Sequence, residues 1–421
     1  MFPAYELVSY GLLIVLSVAG LLLLLLPTAY GRGLRSLVRR LLARLSPAGD
    51  AAWLDWRLLL LVGGIGYALT VAFDIAYGLY SCSGRGPSDI LALALSGRAL
   101  WTGGNPFTVA NCGAMIDIPY GLAAIVLDAV GSLGGPIGIA IVWGLVALLL
   151  IPLVWTLAGP DRRYVTLCVA TSILYLPLVT AQIDGATNVI VPVTVLLVVV
   201  LARTRDGWAA AIGGFLATAR FPTMFPLLGI AGRYSKRWRF GAIALGVFLG
   251  ATALSFAAWG RAFFDPVFLN QLGRRSFSLN LWGILIQRNA LPGGPGVAIA
   301  QIALTLALVV AVFFRARTVL GAAAITLTGV ALVTQFLSFN ILVGLLPVAL
   351  LGARPRWWLW AISIVAAIDY DLAFPYFGQH LGNWAPYNAL DLVLTLLLIA
   401  LFVDLWRREL AAPRAAATTI A

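Results

Sequence analysis

Long apolar runs separated by short basic joints set the pattern of this chain. Runs at 7–26, 58–79, 137–157, 165–180, 189–201, 240–259, 297–314, 320–336, 341–351, 357–373 and 390–406 predict helices, most of them long enough to cross a membrane. The run at 208–230 is different. It has Arg205 before it, Arg233, Lys236, Arg237 and Arg239 after it, and Arg220-Phe221-Pro222 in its middle. A single crossing would put basic residues on both sides, so two short helices are predicted, forming a hairpin that enters from the cytoplasmic face. Broken helices at membrane depth are tolerated only where they line a protein cavity. The pattern therefore predicts an all-α polytopic membrane protein with roughly 12–13 transmembrane or half-membrane helices. The runs do not alternate as barrel strands would, and no internal repeat is evident.

Composition narrows the class. The chain has 421 residues, 62% of them hydrophobic and 10% charged, with a formal net charge of +12. A soluble protein of this size could not bury that much apolar surface. The positive charge lies in the short joints, where it sets orientation and does not point to nucleic acid. Arg32, Arg35, Arg39, Arg40 and Arg44 follow the first run and are expected in the cytoplasm. That places the N-terminus and the loop after the second run outside. No cleavable signal peptide is expected. Three regions follow: an extra first helix and basic loop at 1–57, a transmembrane core at 58–406, and an Ala-rich, disordered cytoplasmic tail at 407–421. Within the core, 81–118 is the main extracytoplasmic loop.

The same threading sorts the polar residues. The first outer loop carries Asp74, Asp89 and Asp117, Cys82 and Cys112, a helix start at Pro87-Ser88-Asp89 and a GGNPF turn containing Asn105. It is expected to hold amphipathic helices, with 89–101 lying along the membrane surface. Gln182, Asp184, Asn340 and the surroundings of His380 also fall outside, as does a loop at 260–296 with Arg261, Arg274, Arg275 and Arg288. Arginines outside run against the usual bias, and a guanidinium fork matches phosphate oxygens.

SDILALALSGRALWTGGNPF, IPY at 118–120, AQIDGATN, ATARFPTMFPLL and FLSFNILVGLLPVALL carry a resemblance. In order and spacing they resemble the GT-C superfamily, membrane glycosyltransferases that use polyprenyl-phosphate sugars, and most of all its bacterial family-87 branch. Arg220 stands where that family has Lys, Ala181 where it has Gly, and Ser338 and Asn340 where Tyr or His is usual. The resemblance implies a GT-C-like core and transfer of a sugar, mannose favoured, to a glycan or glycolipid acceptor at the outer membrane face. An arabinofuranosyltransferase of the same class is the alternative.

Such a transfer needs a base for the acceptor hydroxyl and cations for the departing phosphate. The resemblance puts Asp89 at the catalytic aspartate position, with Asp74 as rival base. His380, the single histidine, is a further candidate. Arg274, Arg275, Arg261, Arg288 and Arg220 are candidates for donor phosphate or lipid. Gln182, Asp184, Asn105, Asn340, Trp384 and Tyr387 are candidates for sugar or acceptor, the two aromatic residues by stacking. Cys82 and Cys112, both outside, are a disulfide candidate. No metal or other cofactor is expected, because no acids or histidines sit at ligand spacing. The expected partners are the lipid bilayer, the polyprenyl-phosphate sugar and the acceptor. A transporter or flippase is the rival class.

Overall fold

The computed structural model describes residues 68, 71, 89–159, 187–270, 285, 294–334, 339–370, 373 and 381–411. Helices dominate them. The order is α1 (Asp89–Trp101), β1 (Thr108–Asn111), β2 (Ala114–Asp117), α2 (Leu122–Ser132), α3 (Gly135–Leu148), α4 (Leu150–Leu157), α5 (Ile190–Leu201), α6 (Asp206–Ala217), α7 (Met224–Ala231) and α8 (Arg237–Trp259). Then come α9 (Arg261–Phe264), a π turn (Asp265–Leu269), α10 (Pro295–Arg315), α11 (Val319–Val333), a 3-10 helix (Phe339–Leu351), α12 (Ala353–Ile368) and α13 (Ala385–Trp406).

Four helical stretches, Gly135–Leu157, Arg237–Trp259, Pro295–Arg315 and Ala385–Leu410, are long and apolar enough to cross a membrane. Their outward faces are apolar too. Only 17% of the apolar window of α8 is buried, and Leu245, Leu249, Leu254 and Phe256 stand exposed along it. Continuous apolar surface of this extent belongs against lipid.

The run at 208–230 folds as two short helices, α6 and α7. A Cβ on Gly213 would lie 3.3 Å from Leu227 Cδ1, so the helices lie side by side about their turn. Tyr234, beyond α7, lies close enough to Arg203 and Asp206, at the start of α6, to feel both charges. Both ends of the pair therefore lie at one end of the bundle, and the turn at 218–223 is the tip of a hairpin. The hairpin is seated against α8. A Cβ on Gly214 would fall 2.2 Å from the Ala244 carbonyl oxygen, so only glycine permits this approach.

The segment at 89–118 departs from its predicted form in two ways. Helix α1 buries Ile90, Ala92, Leu93, Ala94, Ser96 and Gly97, which is most of its circumference, and is no amphipathic surface helix. Ser96 and Gly97 are small enough for α1 to press on α2, where a Cβ on Gly97 would meet the Asp128 carbonyl oxygen at 2.1 Å. The second half of the loop is an antiparallel β-hairpin with Asn111 opposite Ala114. Its two-residue turn, Cys112-Gly113, has φ of 52 and 82, the type I′ turn that suits the right-handed twist of paired strands. Thr108, Val109, Ile116 and Met115 supply the β-branched and long apolar residues of the ladder.

A small aromatic core joins this hairpin to the chain after α8. Phe107 meets Trp259 and Phe263 edge-on at 5.4 and 5.0 Å, and Phe268 stacks on Phe221 of the hairpin tip at 4.9 Å. The segments at 105–121 and 259–270 thus pack together.

The C-terminal segment is not wholly a tail. Residues Arg407–Ala411 continue α13 as a π turn. Glu409 is buried and accepts from the Thr318 N–H at 3.1 Å and the Thr318 hydroxyl at 3.0 Å. It thereby holds the start of α11.

Candidate functional site: the tip of the α6–α7 hairpin

Four segments meet where the hairpin tip reaches the residues between β2 and α2. The turn at 118–121 lies on the tip itself. Gly121 is extended, with φ −91 and ψ −171, a conformation open to any residue. What demands glycine is space, since a Cβ there would sit 2.0 Å from the Thr218 carbonyl oxygen. The Ala123 N–H donates to the Thr218 hydroxyl at 3.1 Å and completes the join.

At the tip, Arg220 is extended (φ −142, ψ 100), and Phe221-Pro222-Thr223 starts a 3-10 turn, with proline where its fixed φ and missing N–H cost nothing. The Arg220 side chain points toward the turn at 118–121. Its Nε donates to the Thr187 hydroxyl at 3.1 Å, and its guanidinium carbon is 4.1 Å from the centroid of the Tyr120 ring. A cation at that distance over an aromatic face is held by the ring quadrupole. Thr187 is fully buried in the 3-10 turn that opens α5, with its hydroxyl within hydrogen-bonding reach of Tyr120.

Asp89, exposed as the first residue of α1, completes the group. Its position is fixed by three ties. Gly97 contacts α2, the Trp101 indole N–H donates to the Ala129 carbonyl at 2.7 Å, and the Ser96 hydroxyl donates to the Pro106 carbonyl at 2.7 Å. Tyr120 is half-buried. Burial pushes its hydroxyl above the usual tyrosine range, the Arg220 guanidinium opposes the rise, and the Asp89 carboxylate adds to it. A guanidinium thus lies over the phenol, with a carboxylate near enough to act on it. Such a group can take a proton at the carboxylate and hold an anion at the guanidinium.

Arg220 thus lies against Tyr120, and Asp89 is near enough to act on the same phenol electrostatically. Arg261 is exposed at the start of α9, in the aromatic layer behind the tip. The Asn105 carboxamide oxygen accepts from the Phe107 N–H at 2.9 Å, which builds the turn before β1. Trp384 is 40% exposed and meets Tyr387 edge-on at 5.8 Å. Tyr387 itself is 0% exposed, so the expectation that it stacks on a sugar is corrected: no ring face is open. Asn340 falls at the start of the 3-10 helix Phe339–Leu351. Cys112 is disulfide-bonded. Its expected partner Cys82 lies outside the described residues, as do Asp74, Gln182, Asp184, Arg274, Arg275, Arg288 and His380. Among the described residues no three His, Cys, Asp or Glu side chains gather as metal ligands would.

Sequence reasoning gave no role to Tyr120 or Thr187. Both lie inside quoted motifs, IPY and AQIDGATN, so the signal was there in the motif ends. Their pairing across 67 positions of chain is a tertiary fact.

A second polar group lies deeper. Asp369, just beyond α12, and Asp391, in α13, are fully buried and face each other closely enough to interact, with Tyr387 beside Asp391. None of the four carboxyl oxygens has a hydrogen bond of ordinary geometry.

Comparison with known protein families and with curated proteins finds no match to this chain.

Proposed function

We propose that the protein is a glycosyltransferase that moves a sugar from a polyprenyl-phosphate donor to a glycan or glycolipid acceptor at the outer membrane face. One observation carries this reading: Tyr120, Thr187 and Arg220, from three separate motifs, meet at the hairpin tip, and Asp89 of a fourth is near enough to act on Tyr120. In this reading Asp89 takes the proton of the acceptor hydroxyl as its oxygen attacks the anomeric carbon. The sugar–phosphate bond breaks, and Arg220 neutralises the charge that returns to the leaving phosphate. The leaving group is already anionic, so one carboxylate suffices, unlike the pair used by most glycosidases. Tyr120 and Thr187 hold the guanidinium at a fixed height.

The experiment is transfer of radiolabelled mannose from polyprenyl-phosphate mannose by the purified protein in lipid vesicles, with membrane glycolipid extract as acceptor. Wild-type protein transfers label, whereas Asp89→Asn does not, though it still folds and binds donor. Full turnover by Asp89→Asn removes the base assignment.

A second reading, a cation- or proton-coupled transporter, is favoured by the Asp369–Asp391 pair, because ionisable groups deep among apolar helices often mark such paths. Vesicles in which Asp391→Asn abolishes solute flux while mannose transfer is absent from wild type would select it.

A further inference from the structure

At the other end of the hairpin from Arg220, α6 and α8 enclose an open groove of about 580 Å³. Arg205, Asp206, Gly207 and Trp208 line it at the start of α6, Ala211 one turn further along, and Arg239 and Ile243 from α8. Arg205 and Arg239 are both exposed, and neither forms an ion pair among the described residues. The acid of the groove, Asp206, turns one oxygen to the Gly207 N–H at 2.8 Å. Two guanidinium groups thus share one opening without a matched pair of carboxylates.

The surroundings say what kind of anion would sit there. Trp208 is 66% exposed and Trp238, two residues into α8, is 65% exposed. Tryptophans so exposed at the end of an apolar bundle belong at the level of lipid headgroups. Below the arginines the groove floor turns apolar at Ala211 and Ile243. Past it, on the same side of α8, the apolar strip continues through Val247 and the exposed Gly246 and Gly250. A free phosphate would use the arginines alone. A phospholipid would use both parts, its phosphate between the arginines and an acyl chain along α8.

We infer that this groove binds the headgroup phosphate of an anionic phospholipid, in the leaflet opposite the Asp89 site. The guanidinium fork suits phosphate oxygens, and a net negative headgroup matches the surplus of charge that a zwitterionic one would not. The groove is distinct from the donor's site, which lies at the tip of the same hairpin.

Native mass spectrometry of the full-length protein in non-ionic detergent tests this. The protein is titrated with dioleoylphosphatidylglycerol, dioleoylphosphatidylcholine or inorganic phosphate. Phosphatidylglycerol is expected to bind selectively, and Arg205→Gln/Arg239→Gln to weaken it on the order of 30-fold. A control of equal charge, Arg315→Gln/Arg407→Gln, should leave the affinity unchanged. If the double variant does not fold, each single variant should still lose about fivefold. Equal binding of the two lipids, equal loss in the control, or displacement of the lipid by inorganic phosphate at equal concentration would each overturn the assignment.

Discussion

The guanidinium carbon of Arg220 lies 4.1 Å from the centroid of the Tyr120 ring, and the same side chain donates to Thr187. The two contacts fix both the tilt and the height of the charge. Arg220→Ala should lower kcat/KM for sugar transfer roughly 100-fold, the scale for losing one preorganised charge donor. Arg220→Lys should recover only part, since an ammonium lacks the planar fork. Tyr120→Phe keeps the ring under the cation and should be the milder change, while Tyr120→Leu should approach Arg220→Ala. Steady-state kinetics on the four variants give the order, and a reversed order of Phe and Leu would count against the ring contact.

Gly121 is glycine for space, not for backbone freedom. Gly121→Ala drives a Cβ to 2.0 Å from the Thr218 carbonyl oxygen and must part the turn at 118–121 from the hairpin tip. A loss of about 1–3 kcal/mol is expected, with transfer falling further than stability. Gly246→Ala is the control: nothing lies within 4 Å of its new Cβ, and mid-helix alanine should stabilise by roughly 0.5–1 kcal/mol. Thermal unfolding of both variants in one detergent reads the contrast.

The Cys112 position combines a bond and a conformation. Asparagine tolerates the positive φ of 52, so Cys112→Asn should lose only the disulfide, at about 2–4 kcal/mol. Cys112→Val loses the bond and strains the turn as well, and should fall below Asn by roughly 1–2 kcal/mol. Reducing agent should lower the melting temperature of wild type and leave Cys112→Asn unmoved. An equal shift in both would mean that the bond does not support the fold.

Glu409 takes two hydrogen bonds from Thr318, whose hydroxyl also accepts from the Gly321 N–H at 2.9 Å to cap α11. Removing one partner of a buried charged hydrogen bond costs about 1.5–3 kcal/mol. Glu409→Ala should therefore destabilise the protein, and a truncation after Trp406 should destabilise it further, because it also removes Leu410 from the core; Glu409→Gln, which keeps one acceptor oxygen, should cost less than either. Melting curves of the three proteins make the comparison.

The helical frame was legible in the sequence because apolar length and basic joints are local properties. The hairpin at 208–230 was legible for the same reason: Arg205 and Arg239 could not both stay on one side of a single crossing. The β-hairpin was not legible. Thr108–Asn111 and Ala114–Asp117 are four-residue strands with weak alternation, and their turn has cysteine where asparagine would announce it. The burial of α1 was hidden too, because Ser96 and Gly97 read as breaks in an apolar face when they are the seam against α2. At the site, Asp89 stood out as a helix-start carboxylate. Tyr120 and Thr187 carry no local mark, since their meaning depends on a guanidinium from another part of the chain.

The seam between Gly214 and Ala244 acts as a depth gauge for the charge at the tip. Arg220 rides on a hairpin gripped about one turn below its tip, and how far it reaches is set by where α6 seats on α8. A methyl group at Gly214 would slide the hairpin and carry the guanidinium off the Tyr120 ring without altering either residue. The lipid groove at the base bears on the same two helices. What occupies the groove at one end of the hairpin can thus shift the reach of a side chain at the other.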